Sequence, residues 1–198
     1  MIDRSIPFYN TLLRCDAYRE QAINLPAGFR IVTWQPGLER DWARMEAALG
    51  DFANEAEAED YFRRTYLDAD RPDDLFFVLN EAGQAAGTCL AWTDERQGKA
   101  VNSLHWLVVE EKYQRRGLGR ALCTAVMNRF YELNAAPIYI HTQPWSYKAI
   151  LLYLDLGFRL LKTDTFAAYT NQYEDALKTL STLLTDEQME RLVSSAIP

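Results

Sequence analysis

The densest group of residues able to do chemistry in this chain runs from Val109 to Arg120, VEEKYQRRGLGR. Its two glycines let a backbone approach a ligand closely. A helix opening near Leu118 would add N–H groups that have no intrahelical partner, together with the positive end of the helix dipole. Arg115, Arg116 and Arg120 bring three full positive charges to an otherwise acidic chain, which is what a pyrophosphate needs to overcome the overall field. Two better-known phosphate motifs do not fit. No G-x-x-x-x-G-K-[ST] occurs, and in Gly117-Leu118-Gly119-Arg120-Ala121-Leu122 a leucine stands where a dinucleotide fingerprint has its third glycine. Neither a P-loop ATPase nor a Rossmann dehydrogenase is expected. A basic turn that merely starts a solvated helix has the same local look, so the surrounding elements have to decide.

Those elements alternate. The N-terminal segment reads as a short helix around Tyr9 to Glu20, broken at Leu25-Pro26-Ala27-Gly28, and Phe29 to Trp34 as a strand stopped by Pro36-Gly37. Leu38 to Leu49, with Trp42 and Met45 in step, and Glu55 to Leu67, with Ala58, Tyr61, Phe62 and Tyr66 in step, read as amphipathic helices. Leu75 to Asn80 and Ala86 to Trp92 flank a hairpin turn at Glu81 to Gln84, and Val101 to Val109 is a further strand. Leu118 to Leu133 has the period of a long helix packed on a sheet. Pro137 to Thr142 is strand, Ser146 to Leu156 a helix with Ser146 as N-cap and Gly157 as its stop, and Phe158 to Lys162 strand. After the N-terminal helix the order is β-αα-βββ-α-β-α-β. From Tyr173 a helical period returns, and Thr185 to Gln188 has the form of a capping box.

Composition bounds the rest. With 48% hydrophobic and 13% aromatic residues, the 198-residue chain is expected to fold, as a single domain over 1–198. Twenty-one basic against 28 acidic residues give a net charge of −7, which argues against general nucleic-acid binding. The longest uninterrupted apolar stretch, Ala149 to Leu154, falls far short of the ~20 residues that span a bilayer. The start lacks the apolar region of a secretory signal, and three cysteines without C-x-x-C spacing suit reduced thiols, so a cytoplasmic protein is expected. Two histidines do not make a metal site.

Gln114-Arg115-Arg116-Gly117-Leu118-Gly119 resembles the Q/R-x-x-G-x-G/A acyl-CoA signature of the GNAT superfamily of N-acetyltransferases, and it sits, as there, between the fourth strand and the third helix of the core. Tyr153-Leu154-Asp155-Leu156-Gly157-Phe158 resembles the second motif of that superfamily, a Tyr followed by three residues and Gly-Phe. The resemblance covers about residues 29–162. It implies an α/β fold with a GNAT-like mixed, mostly antiparallel central sheet flanked by helices, extended here by helical N- and C-terminal segments, the latter over about 172–195. Two departures stand out. Ser146 occupies a position where many relatives carry Asn, and Asp164 to Tyr169 is short where the family commonly adds one more strand.

The resemblance implies an N-acetyltransferase that passes the acetyl group of acetyl-CoA to a primary amine by direct attack in a ternary complex. Gln114, Arg115, Arg116, Gly117, Leu118, Gly119 and Arg120 would hold the pyrophosphate, with Leu107, Val108, Val109 and Ser146 along the rest of the cofactor. Tyr153 matches the family's general acid toward the CoA sulfur; ordinary packing is its other reading. Leu104-His105-Trp106-Leu107-Val108-Val109 is similar to a segment of arylalkylamine acetyltransferases in which the His is a proposed base, and strand parity puts His105 on the side of Leu107 and Val109. A strand histidine satisfied by a carbonyl, with Glu110, Glu111 or a water as the base, is the competing reading. His141, Trp145 and Tyr147 read as acceptor-pocket walls or as core rim. The acidic group Asp51, Glu55, Glu57, Glu59 and Asp60 reads as an attractor for a cationic amine or as a solvated helix face. A non-catalytic acyl-CoA sensor is the alternative function, and the tail from Tyr173 is read as an interaction element, with a homodimer as the expected assembly.

Overall fold

A computed structural model describes residues 3–68 and 71–198. It holds a seven-stranded sheet in the order β2-β3-β4-β5-β6-β1-β7, antiparallel except between β5 and β6. The strands are β1 (Thr11–Cys15), β2 (Arg30–Thr33), β3 (Leu75–Leu79), β4 (Ala85–Arg96), β5 (Lys99–Val109), β6 (Ile138–Thr142) and β7 (Arg159–Leu160). The helices are α1 (Leu38–Leu49), α2 (Glu55–Phe62), α3 (Leu118–Glu132), α4 (Tyr147–Asp155), α5 (Tyr173–Leu180) and α6 (Asp186–Ser194). The described residues fall into two compact units, one of residues 20–92 and 104–129, the other of 3–19, 93–103 and 130–198.

In the first unit, β2, β3 and the first part of β4 form an antiparallel ladder, Ile31 opposite Val78 and Phe77 opposite Thr88. Helix α1 spans the predicted residues because Leu38, Trp42 and Met45 recur at helical spacing and bury. Gly50, at φ 81, closes it in the left-handed conformation that glycine adopts without cost. Helix α2 starts on Asn54, whose side chain accepts from the Glu57 N–H. It stops at Phe62 rather than continuing as an α-helix to Leu67, because Arg63–Leu67 widens into a π turn closed by the Asp68 N–H to the Arg63 carbonyl. The core gathers Trp42, Phe62, Tyr66, Leu75, Phe77 and Leu90. A Cβ at Gly87 of β4 would lie 2.6 Å from the Val108 carbonyl oxygen and 3.2 Å from Leu122 of α3, and a glycine is required there.

In the second unit the N-terminal expectation is corrected. Tyr9 to Glu20 holds no helix; Thr11–Cys15 is a strand that pairs with β6 on one side and β7 on the other. Flanked by partners, it buries Leu12, Leu13 and Cys15 together, so its apolar run carries no alternation and was open to a helical reading. Phe158 to Lys162 contributes only the two residues of β7, though the Ile197 N–H bonds the Leu160 carbonyl and the Lys162 N–H the Ile197 carbonyl beside it. Asp164 to Tyr169 forms no strand; Asp164 is held by Arg14 and Arg96, and Phe166 packs on Tyr139. The tail is helical as expected, with the Thr185 and Gln188 capping box formed in both directions. Its apolar positions Tyr173, Ala176, Leu180 and Leu192 are buried within this unit. Among the described residues no helix is long and apolar enough to cross a membrane.

Candidate active site

In the first unit, β5 leads into the basic loop. Trp106 has φ 51, a left-handed conformation that costs a non-glycine residue about 1–2 kcal/mol. Trp106 packs on the core beneath α1 and α2, and His105, its neighbour, has its ring 6.4 Å from Trp92, which borders the same core. Val109 instead lies against Gly87 and Leu122 of α3. Trp106 and Val108 thus share the core face of β5, and Val109 lies on the other. His105 is half-buried, and Val108 turns its side chain into the core, so only its backbone is left for a ligand.

After Val109 the chain makes a single turn at Glu111–Tyr113, an extended Gln114, and left-handed residues at Arg115 (φ 60) and Gly117 (φ 83) before α3 begins. The Gln114 side chain donates to the Val109 carbonyl at 2.9 Å and ties the loop across its base. Tyr113 anchors it further: its hydroxyl accepts from Asn80 at 2.8 Å, its ring meets Phe29, and Lys112 and Arg116 lie over its face. Alternating handedness turns successive N–H groups toward one concavity, the geometry that holds anions. The first bond within the helix runs from the Ala121 N–H to the Gly117 carbonyl, so the amides of Leu118, Gly119 and Arg120 belong to the open end. Gln114, Arg115, Arg116, Gly117 and Arg120 are exposed, and among the described residues neither Arg115 nor Arg116 is ion-paired. Glu110 differs. Burial opposes its charge, yet hydrogen bonds from Lys112 and Arg44 hold its carboxyl below the usual range, which makes it a weak base. A cleft lined by Asp41, Arg44, Glu110, Lys112 and Tyr113 opens beside the loop.

The remaining sequence candidates lie in the second unit. Tyr153, on α4, is buried with its ring edge on Phe158. Gly157 stops α4 at φ 94, and the Phe158 N–H reaches back to the Tyr153 carbonyl, so the Tyr-to-Gly-Phe spacing is that of a helix end. Ser146 stands at the N-cap of α4 as expected, but its side chain makes no capping bond. A turn at Pro144–Ser146 precedes α4, and the Ser146 hydroxyl accepts from Gln143 instead. His141 stacks on Tyr169 at 3.8 Å, with Nε2 2.8 Å from Asn10 Oδ1, and Phe8 joins it to Trp145, which lies under Arg4. These rings are engaged by the two ends of the chain. The acidic group is engaged as well: Glu57 accepts from the Ala53 N–H, Glu59 pairs with Arg63, and Asp60 pairs with Arg64, as on a solvated face.

Sequence reasoning missed Gly87 and Glu46. Gly87 carries no signal beyond a glycine inside a strand pattern. Glu46 sits one turn after Trp42 on the apolar stripe of α1, an acid where the period asks for a hydrophobe.

Comparison with known proteins bears on the fold and the family. The chain aligns with solved structures of a GCN5-related N-acetyltransferase from Sphaerobacter thermophilus (TM-score 0.59, 21% identity, 77% of this chain and 48% of that one) and of a GNAT-family acetyltransferase from Colwellia psychrerythraea (0.61, 13%, 78% and 54%). It also aligns with glucosamine-6-phosphate N-acetyltransferase from Arabidopsis thaliana (0.52, 13%, 73% and 98%). At these identities the likeness is one of fold, and the chain spans about half the length of the first two. No curated protein matches its sequence. The profile of the acetyltransferase (GNAT) family matches residues 41–158, more than half of the chain and the stretch that holds α1, the basic loop and the Tyr-to-Gly-Phe segment. The chain belongs to the acetyltransferase (GNAT) family.

Proposed function

We propose that the protein transfers the acetyl group of acetyl-CoA to a primary amine by direct attack within a ternary complex. The observation that carries this reading is the loop from Gln114 to Arg120, left-handed at Arg115 and Gly117, where the exposed Arg115 and Arg116 make no ion pair among the described residues just before α3 begins. The loop amides and Arg115, Arg116 and Arg120 bind the pyrophosphate of the donor, and the backbone from Leu107 to Val109 runs along its pantetheine arm. A half-buried His105 on β5 takes a proton from the acceptor ammonium, directly or through a water. The freed amine attacks the thioester carbonyl carbon; the C–N bond forms, the C–S bond breaks, and the Tyr153 hydroxyl donates its proton to the departing thiolate. Glu110, held ionised between two cations, is less suited to the base's task than His105. Ser146, committed to Gln143, contributes to the cofactor site through its backbone.

The test is the pH profile of kcat/KM with one acceptor. Wild type shows a limb that rises with pH, and His105→Gln loses that limb together with about 10²-fold or more of activity. In the same assay Tyr153→Phe slows turnover about 10-fold or more and keeps the limb. A limb of unchanged midpoint in His105→Gln removes His105 from the mechanism.

A further inference from the structure

Of the buried acids of the first unit, two are matched by arginine and one is not. Glu39 lies 2.7 Å from Arg63 and accepts from the Gly37 N–H and Trp34 Nε1. Asp74 is gripped by Arg71 at 2.6 Å and Arg129 at 2.9 Å. Glu46 is 1% exposed, and its Oε1 has no hydrogen-bond partner. One turn earlier on the same face of α1, the Nε1–H of fully buried Trp42 has none either. Buried polar atoms are rarely left this way, and a carboxyl costs more than most.

The Trp42 face of α1, which also carries Glu46, packs on an aromatic cluster. Trp42 has Phe62 5.1 Å, Trp106 5.4 Å and Phe52 5.6 Å away, and lies parallel to Tyr61 at 6.2 Å. The π turn brings Tyr66 inward, where its hydroxyl accepts from Trp106 Nε1 and its ring meets Trp92 edge-on at 4.8 Å. Tyr66 is also close enough to Glu46 for that carboxylate to oppose its ionisation. Trp42 and Tyr66 are buried, whereas Phe52, Tyr61, Trp92 and Trp106 are partly exposed and give the cluster a face to solvent. His105 stands at its border, beside Trp92.

Ring faces attract an ammonium group, and a carboxylate beneath them supplies the opposite full charge. A hydroxyl-rich acceptor would leave its own polar groups unpaired there. We propose that this cluster receives the acceptor and that Glu46 is its anchor, ion-paired with the ammonium group of a compact amine whose body is apolar. The inference rests on the acetyltransferase reading and names the acceptor's chemistry and the residue that selects it. Burial, reinforced by the Asp51 carboxylate and with the Tyr66 hydroxyl as the other titratable neighbour, keeps unliganded Glu46 protonated. An arriving ammonium reverses the preference, so binding releases a proton to solvent.

The probes are cyclohexylmethylamine and its uncharged counterpart cyclohexylmethanol, titrated calorimetrically at neutral pH into CoA-loaded wild type and Glu46→Gln, in two buffers of different ionisation enthalpy. Wild type binds the amine about 10-fold or more tighter than the alcohol and releases a proton with the amine alone. Glu46→Gln, isosteric with the protonated acid, binds both alike and releases none. Equal affinities in wild type overturn the proposal without recourse to any variant, and so does a preference or a proton release that persists in Glu46→Gln. Titration of acetyl-CoA into the same proteins is a separate readout: its failure removes the acetyltransferase reading, whereas acetyl-CoA binding without amine discrimination removes only the anchor.

Discussion

The basic loop and the aromatic cluster are opposite solutions to holding a charged ligand. The loop, residues 114–120, is mostly exposed, built from backbone amides and left-handed turns, and carries Arg115 and Arg116, which no acid among the described residues neutralises. The cluster under α1 and α2 is built from side chains, buried at Trp42 and Tyr66 and partly open at its rim, and holds Glu46, whose Oε1 has no hydrogen-bond partner among the described residues. Water screens the first, so affinity there needs several charges and many amides acting together. Water is kept from the second, so one group suffices and an imbalance there is costly. In the loop the unmet charge is cheap to carry before the ligand arrives; in the cluster burial, with the Asp51 carboxylate, favours the protonated form of Glu46.

Removing charge from the loop should separate the two regions most sharply. With charge-assisted hydrogen bonds worth about 1.5–3 kcal/mol each, the double change Arg115→Ala with Arg116→Ala lowers acetyl-CoA affinity about 100-fold or more, and raising salt weakens wild-type binding more than that of the variant. Calorimetry at two salt concentrations checks this, and binding of an apolar amine to the cluster should stay unchanged. Equal salt dependence in both proteins would deny the loop its electrostatic role.

A smaller effect, on stability, belongs to the cluster. Burial raises the Glu46 carboxyl well above its ordinary 4.5, so above that pH the folded protein keeps a proton that the unfolded chain has lost. The folded state then binds more protons, and stability falls as pH rises until Glu46 itself ionises. Glu46→Gln has no such proton. Melting curves between about pH 5 and pH 8 should show the variant gaining on wild type as pH rises, at about 2–4 °C for each kcal/mol. Parallel curves would mean that Glu46 is not held protonated by the fold.

The same contrast explains what could be read from the sequence. The loop was legible because its parts are contiguous: two glycines, three arginines and a helix start within a few residues. The helices α1, α3 and α6 were legible because a stripe of buried positions or a capping box states them locally. The cluster was hidden because its members come from α1, the segment after it, α2, the π turn, β4 and β5, and nothing in the spacing of Trp42, Phe52, Tyr66, Trp92 and Trp106 brings them together. Two local surprises compounded this. Trp106 takes a left-handed backbone inside β5 that its residue type does not announce, and the N-terminal segment became a strand because β6 and β7 pair along both its edges, a tertiary demand that overrode its local pattern.

The most direct measurement on the central claim is calorimetric titration of acetyl-CoA into wild type and Gly117→Val. Gly117 sits at φ 83 with nothing within 4 Å of where a Cβ would be, so valine meets no clash and disturbs only the left-handed backbone, at a cost of about 1–2 kcal/mol or more. An exposed loop relieves that strain by moving away from the conformation that gathers its amides. Acetyl-CoA affinity is predicted to fall about 10-fold or more while the melting temperature stays within about 2 °C of wild type. Unchanged affinity in a folded Gly117→Val protein would contradict the assignment of this loop as the pyrophosphate cradle.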